Sequence, residues 1–67
     1  MTQLEILKRA EGYMFELIHQ EDNKNEMFKK EYGYDSPASI KLLGSYWNDV
    51  FDIWEEIDKI EKMNKNK

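Results

Sequence analysis

Cysteine is absent from this 67-residue chain, proline and histidine occur once each, and glycine three times. Without thiols there is no disulfide framework and no thiolate metal site, so the redox compartment is unconstrained and the cytoplasm is the default expectation. No apolar run approaches the ~20 residues that span a bilayer, and no signal-peptide core precedes a small-residue cleavage site. Neither membrane insertion nor secretion is therefore expected. A glycine-rich phosphate loop is also missing, and the lone His19 has neither a second histidine nor a neighbouring nucleophile. We accordingly assign no catalytic residue, no metal ligand and no cofactor, and expect a protein that is not an enzyme. Basic groups are the minority sign, 10 against 14 acids for a net charge of -4, so direct nucleic-acid binding is not expected.

What remains suits one small folded domain: 40% of residues are hydrophobic, 13% aromatic and 36% charged. That is too apolar for a disordered tail and too charged for a membrane protein. Lysine outnumbers arginine nine to one, and there are five asparagines. This is the codon bias of an AT-rich genome and points to a low-GC bacterium or its mobile elements.

The chain divides at one place, Tyr32-Gly33-Tyr34-Asp35-Ser36-Pro37. Gly33 suits the left-handed residue that ends a helix, with Lys29 and Lys30 in the last turn and Tyr34 set to pack back on Phe28. Ser36 before Pro37 reads as an N-cap followed by the first helical residue. At the other end, Thr2-Gln3-Leu4-Glu5 has capping-box spacing. The expected fold is all-α, an antiparallel hairpin with helices over 3–32 and 37–62, a turn over 33–36 and a frayed tail over 63–67.

On a helical wheel, Ile6, Leu7, Ala10, Tyr13, Met14, Leu17, Ile18, Phe28 and Tyr32 share one side of the first helix. Glu21, Lys24 and Asn25 intrude on that side, so the alternative is a three-helix bundle with helix one broken near residue 22. In the second helix Ile40, Leu43, Trp47, Val50, Trp54 and Ile57 alternate steps of three and four, the seam of a coiled-coil-like contact. Leu42, Tyr46, Ile53 and Ile60 widen it on one flank and Phe51 on the other, to an arc of roughly 180°, broader than one core requires.

That width implies a partner. Ordering so short a chain costs on the order of 100 kcal/mol, which one thin interface rarely offsets. The simplest remedy is a homodimer forming a four-helix bundle. Leu7, Met14, Leu17, Leu43, Trp47, Val50, Trp54 and Ile57 are the expected core of hairpin or dimer.

The chain carries two charged constellations. Glu16 and His19 have the Glu-x-x-His spacing of di-metal bundles, but they lie about 150° from the centre of the apolar face and should meet water. Asp49, Asp52, Glu55, Glu56 and Asp58 form an acidic run without a basic residue between Lys41 and Lys59. A solvated face relieved by Glu55–Lys59 and Asp58–Lys62 pairs is the plainer account. The sharper one is a surface for a basic partner, including a mimic of a nucleic-acid backbone. Tryptophans anchor many binding sites, so Trp47 and Trp54 join Asp49, Asp52 and Glu56 as candidate partner-binding residues.

Ser45-Tyr46-Trp47-Asn48-Asp49 resembles, at its first and last residues, the Ser-Gln-Glu-Leu-Asp motif of the small hairpin phosphatases that act on aspartyl-phosphate regulators of sporulation. The resemblance implies a helical hairpin with Ser45 and Asp49 in the working motif. Short, acidic, lysine- and asparagine-rich helical chains are also similar to accessory proteins of Gram-positive phages. The reading that follows from the residues themselves is a small acidic interaction or regulatory module, working through protein–protein contact.

Overall fold

The computed structural model describes residues 2–65 and contains two helices, α1 (Gln3–Tyr32) and α2 (Pro37–Lys65). Each terminus follows from a local interaction. Thr2 caps α1, its side chain accepting a hydrogen bond from the Glu5 amide at 3.2 Å. Gly33 closes α1 at φ 82°, ψ 6°, and its amide donates to the Lys29 carbonyl at 2.7 Å. A side chain in that left-handed conformation would cost energy. The Ser36 hydroxyl accepts from the Ser39 amide at 3.3 Å, and Pro37 opens α2. Tyr34 packs edge-on against Phe28, with ring centroids 5.4 Å apart, so the chain folds back over α1 as it leaves. At the far end α2 runs to Lys65 rather than ending at Lys62. The Asp58–Lys62 pair at 3.0 Å favours this extension. Of the tail expected to fray, Asn66 and Lys67 lie outside the described residues.

α1 is continuous through residues 20–26, so the three-helix alternative is overturned. Of the polar residues that suggested a break, Lys24 is exposed and the other two are accommodated in the contact. Glu21 Oε1 accepts from the Ser39 hydroxyl at 2.8 Å. Asn25 accepts from the Ser36 amide at 2.7 Å and donates to Asp35 at 3.2 Å. Asn25 and Ser39 are both buried, and no buried side-chain nitrogen or oxygen among the described residues lacks a partner. The turn end of the hairpin is thus pinned by a polar layer, which removes the reason for a break.

The seam differs from the expected one by a rotation of α2. Leu4, Leu7, Glu11, Met14, Ile18, Glu21, Asn25 and Phe28 are the inward positions of α1, with Ala10 beside them. Those of α2 are Ser39, Leu43, Tyr46, Val50, Ile53, Ile57 and Ile60. Both sets alternate steps of three and four without interruption, the pattern of an antiparallel coiled coil. The row Tyr46, Ile53 and Ile60, expected at the margin, is therefore central. Ile40, Trp47 and Trp54, expected at the centre, are marginal. Val50 is fully enclosed and Ile18 nearly so. Leu7, Met14, Leu43 and Ile57 are half-buried, while Leu17 is exposed on the opposite flank from the tryptophans.

The result is a rod of 55 × 18 × 13 Å with a radius of gyration of 15.8 Å. A compact domain of this length would have about 11 Å.

Candidate interaction surface

Rotating α2 in this way brings its largest side chains to the surface together. Trp47, Phe51 and Trp54 project along one flank of the seam, and Phe15 of α1 reaches across to meet them. Phe15 lies 6.2 Å from the ring centroids of both tryptophans. Phe51 lies 6.1 Å from Trp47 and 5.8 Å from Trp54, and the two indoles are 6.4 Å apart. Tilted and edge-on contacts at these separations are favourable between aromatic rings. The Trp54 indole N–H donates to the Glu11 carboxylate, which fixes that ring against the seam. Even so, Phe15, Trp47 and Trp54 are each nearly two-fifths exposed, and Phe51 is 55% exposed. The rings cover one another without being covered.

Ile40 extends this row by two turns, and it is 49% exposed. Gly44 lies between Ile40 and Trp47 on the same flank, at the helical spacing of three and four. A Cβ built on Gly44 would meet nothing within 4 Å, and the same holds for Gly12, one turn before Phe15. Neither glycine is needed for α1 and α2 to approach one another. Both leave the backbone bare beside exposed aromatic rings. Sequence patterning placed Phe51 on the flank of the α2 stripe but missed Phe15, and the signal for this surface was the uninterrupted run Ile40, Gly44, Trp47, Phe51, Trp54.

The acidic candidates occupy the other side of α2. At about 100° per residue, Asp49, Asp52 and Glu56 fall across the seam from Trp47 and Trp54. All three acids are exposed. The structure therefore divides the five partner-binding candidates between two opposite flanks. The expected relief of the acidic run is present. Lys59 lies 3.9 Å from Glu55 and 3.5 Å from Glu56, and Lys62 lies 3.0 Å from Asp58. Asp49 and Asp52 make no ion pair among the described residues. Alongside them, α1 exposes Ile6, Tyr13 and Leu17.

Ser45 and Asp49 of the phosphatase-like pentapeptide are both exposed on the acidic side, whereas Tyr46 belongs to the seam and Trp47 to the aromatic flank. Glu16 and His19 are exposed on α1. Among the described residues no group of three histidine or carboxylate side chains is disposed to hold a metal, and no helix is long and apolar enough to cross a membrane. The turn carries a second aromatic group, Phe28, Tyr32 and Tyr34, with centroids 4.5 to 6.4 Å apart. A shallow depression beside Glu26, Lys29 and Lys30 adjoins this end and contains none of the partner-binding candidates. No protein-family model matches the chain, and no curated protein or solved structure is significantly similar to it.

Proposed function

We propose that this chain is a small non-enzymatic interaction or regulatory module that works as a homodimer, two hairpins joined as a four-helix assembly. The observation that carries this reading is the amount of surface left open. One hairpin exposes 5479 Å² at a mass of 8.1 kDa. A compact monomer of that mass exposes about 4,500 Å², so roughly 1,000 Å² is in excess. A standard interface takes about 800 Å² from each partner, so the excess matches what one pairing would remove. Seven of the thirteen large hydrophobic residues left exposed among the described residues are aromatic, the residue class enriched at the centres of interfaces.

In such a dimer the acidic side, with Asp49, Asp52 and Glu56, stays available to a second protein of opposite charge. An inhibitor that docks on a basic partner fits the same arrangement, supported by the unpaired carboxylates of Asp49 and Asp52.

Light scattering on a size-exclusion column across a hundredfold dilution tests the dimer. The expected result is twice the 8.1 kDa chain mass, falling towards the single-chain value only at the lowest concentrations. A single-chain mass throughout would overturn the reading.

A further inference from the structure

The homodimer reading does not say which side of the rod closes it, and α1 and α2 leave apolar side chains on two opposite flanks. We infer that the pairing surface is the ridge Ile40, Gly44, Trp47, Phe51 and Trp54 of α2, packed antiparallel on the same ridge of a second copy about a two-fold axis at Trp47. This inference rests on the homodimer reading and names the site within it.

Spacing supports the ridge first. Ile40, Gly44, Trp47, Phe51 and Trp54 alternate steps of four and three, so over residues 40–54 α2 carries a second seam beside the one it spends on α1. Residues on such a row stay in line with a facing helix over its whole length. The corresponding row of α1 reads Lys8, Gly12, Phe15, His19, Asp22 and Glu26, in which Phe15 alone is a large apolar residue. An α1-to-α1 contact on this flank would bury charge, so α2 must face α2.

Shape then fixes the direction. With the axis at Trp47, Ile40 of one copy faces Trp54 of the other, and Gly44 faces Phe51. The most exposed ring of the aromatic cluster, Phe51 at 55%, thereby meets the residue without a side chain. Space for it is open, because nothing approaches within 4 Å of a Cβ at Gly44. A large residue opposite a small one at each of two symmetry-related places is how facing helices interdigitate.

Charge agrees with the same register. Lys41 and Glu55 flank the ridge on its outer side and come face to face between the two copies, once at each end of the contact. Lys41 makes no ion pair within the described residues of one hairpin, and Glu55 reaches Lys59 only at 3.9 Å. A parallel arrangement would place Lys41 beside Lys41 and Glu55 beside Glu55, which like charges disfavour.

The experiment combines mass measurement with thiol crosslinking, which the absence of native cysteine makes clean. Phe51→Asp and Gly44→Gln should each weaken pairing at least tenfold while leaving the helix content by circular dichroism intact. Tyr13→Asp, on the opposite flank, should leave the dimer unchanged. Separately, Asn48→Cys next to the axis should give a covalent dimer with a short bismaleimide. Lys41→Cys should not, because the two copies of residue 41 would lie about 20 Å apart at 1.5 Å per residue. A crosslinked Lys41→Cys dimer would overturn the antiparallel register. Dimers that survive both Phe51→Asp and Gly44→Gln but dissociate with Tyr13→Asp would overturn the choice of face and leave the homodimer standing. A wild-type chain that is monomeric throughout would overturn both.

Discussion

The Ser39 hydroxyl donates to Glu21 Oε1 at 2.8 Å across the helix–helix seam. A carboxylate at an inward position of a coiled-coil-like contact is costly unless a donor meets it, and here the facing helix supplies one. Ser39→Ala leaves Glu21 without that donor, and we expect a loss of about 1 to 2 kcal/mol. Adding Glu21→Leu to Ser39→Ala should recover most of it, because an apolar pair has nothing to satisfy. Urea denaturation of the two single variants and the double variant gives the coupling directly. If the double variant is as weak as Ser39→Ala, the bond is not what holds this layer.

Asn25 bridges to the turn through Ser36 and Asp35, at 2.7 and 3.2 Å. Replacing it with Ala should cost about 1 to 2 kcal/mol, since the partly buried Ser36 amide loses its acceptor. Asn25→Leu is the more informative change. A single polar residue at an inward position holds a coiled coil in register, so Leu should permit additional oligomeric states even if thermal stability is retained. Sedimentation velocity would display them as extra species.

Gly33 sits at φ 82°, and Ala there should destabilise the hairpin by roughly 1 to 2 kcal/mol, with Asn costing less. Gly44→Ala should do the opposite to the helix it sits in, contributing up to about 1 kcal/mol through helix propensity. Thermal melts of the two variants, taken at dilutions where the hairpin is a single chain, should therefore shift in opposite directions.

Val50 is fully enclosed, whereas Trp47 is 38% exposed. Val50→Ala should cost about 2 kcal/mol from lost contacts and the cavity left behind. If the aromatic ridge is a pairing surface, Trp47→Ala should show its larger effect in the dimer dissociation constant rather than in the unfolding of a dilute chain. Comparing both readouts for both variants separates core from interface.

The acidic side makes an independent prediction. Asp49→Asn, Asp52→Asn and Glu56→Gln together should leave the dimer mass unchanged and relieve repulsion along α2 by a few tenths of a kcal/mol per pair. Binding to a basic partner should fall, and wild-type binding should weaken steeply with salt. A phosphatase reading, by contrast, requires Asp49→Asn to abolish turnover on an aspartyl-phosphate protein, which a direct dephosphorylation assay would register.

Much of the fold was legible because its boundaries are written in short-range chemistry. Thr2, Gly33, Ser36 and Pro37 each act within four residues of themselves, and Tyr34 reaches back only six residues to Phe28. The seam was less legible because it depends on a partner helix. Trp47 and Trp54 are so large that they draw the centre of any apolar wheel towards themselves, yet they flank the contact. The inward row instead includes Ser39 on α2 and Glu11, Glu21 and Asn25 on α1. Glu21 and Asn25 read as interruptions until their facing donors and acceptors are known. Ser36 and Ser39 answer Asn25 and Glu21 in space but lie 11 and 18 residues away in sequence. The aromatic patch was half legible, since Phe15 joins it only once α1 lies against α2.

The polar layer next to the turn has a kinetic consequence. In a hairpin, every inter-helix layer further from the turn closes a longer loop, so contacts near Gly33 form at the smallest entropic cost. The Asn25–Ser36 and Glu21–Ser39 bonds, with the rings of Phe28 and Tyr34, stand at that point. Assembly should start there and run like a zipper towards Leu4 and Ile60, with Ile18 and Val50 joining midway. Opening should retrace the path, so amides of the outer turns exchange first and those flanking the bend last.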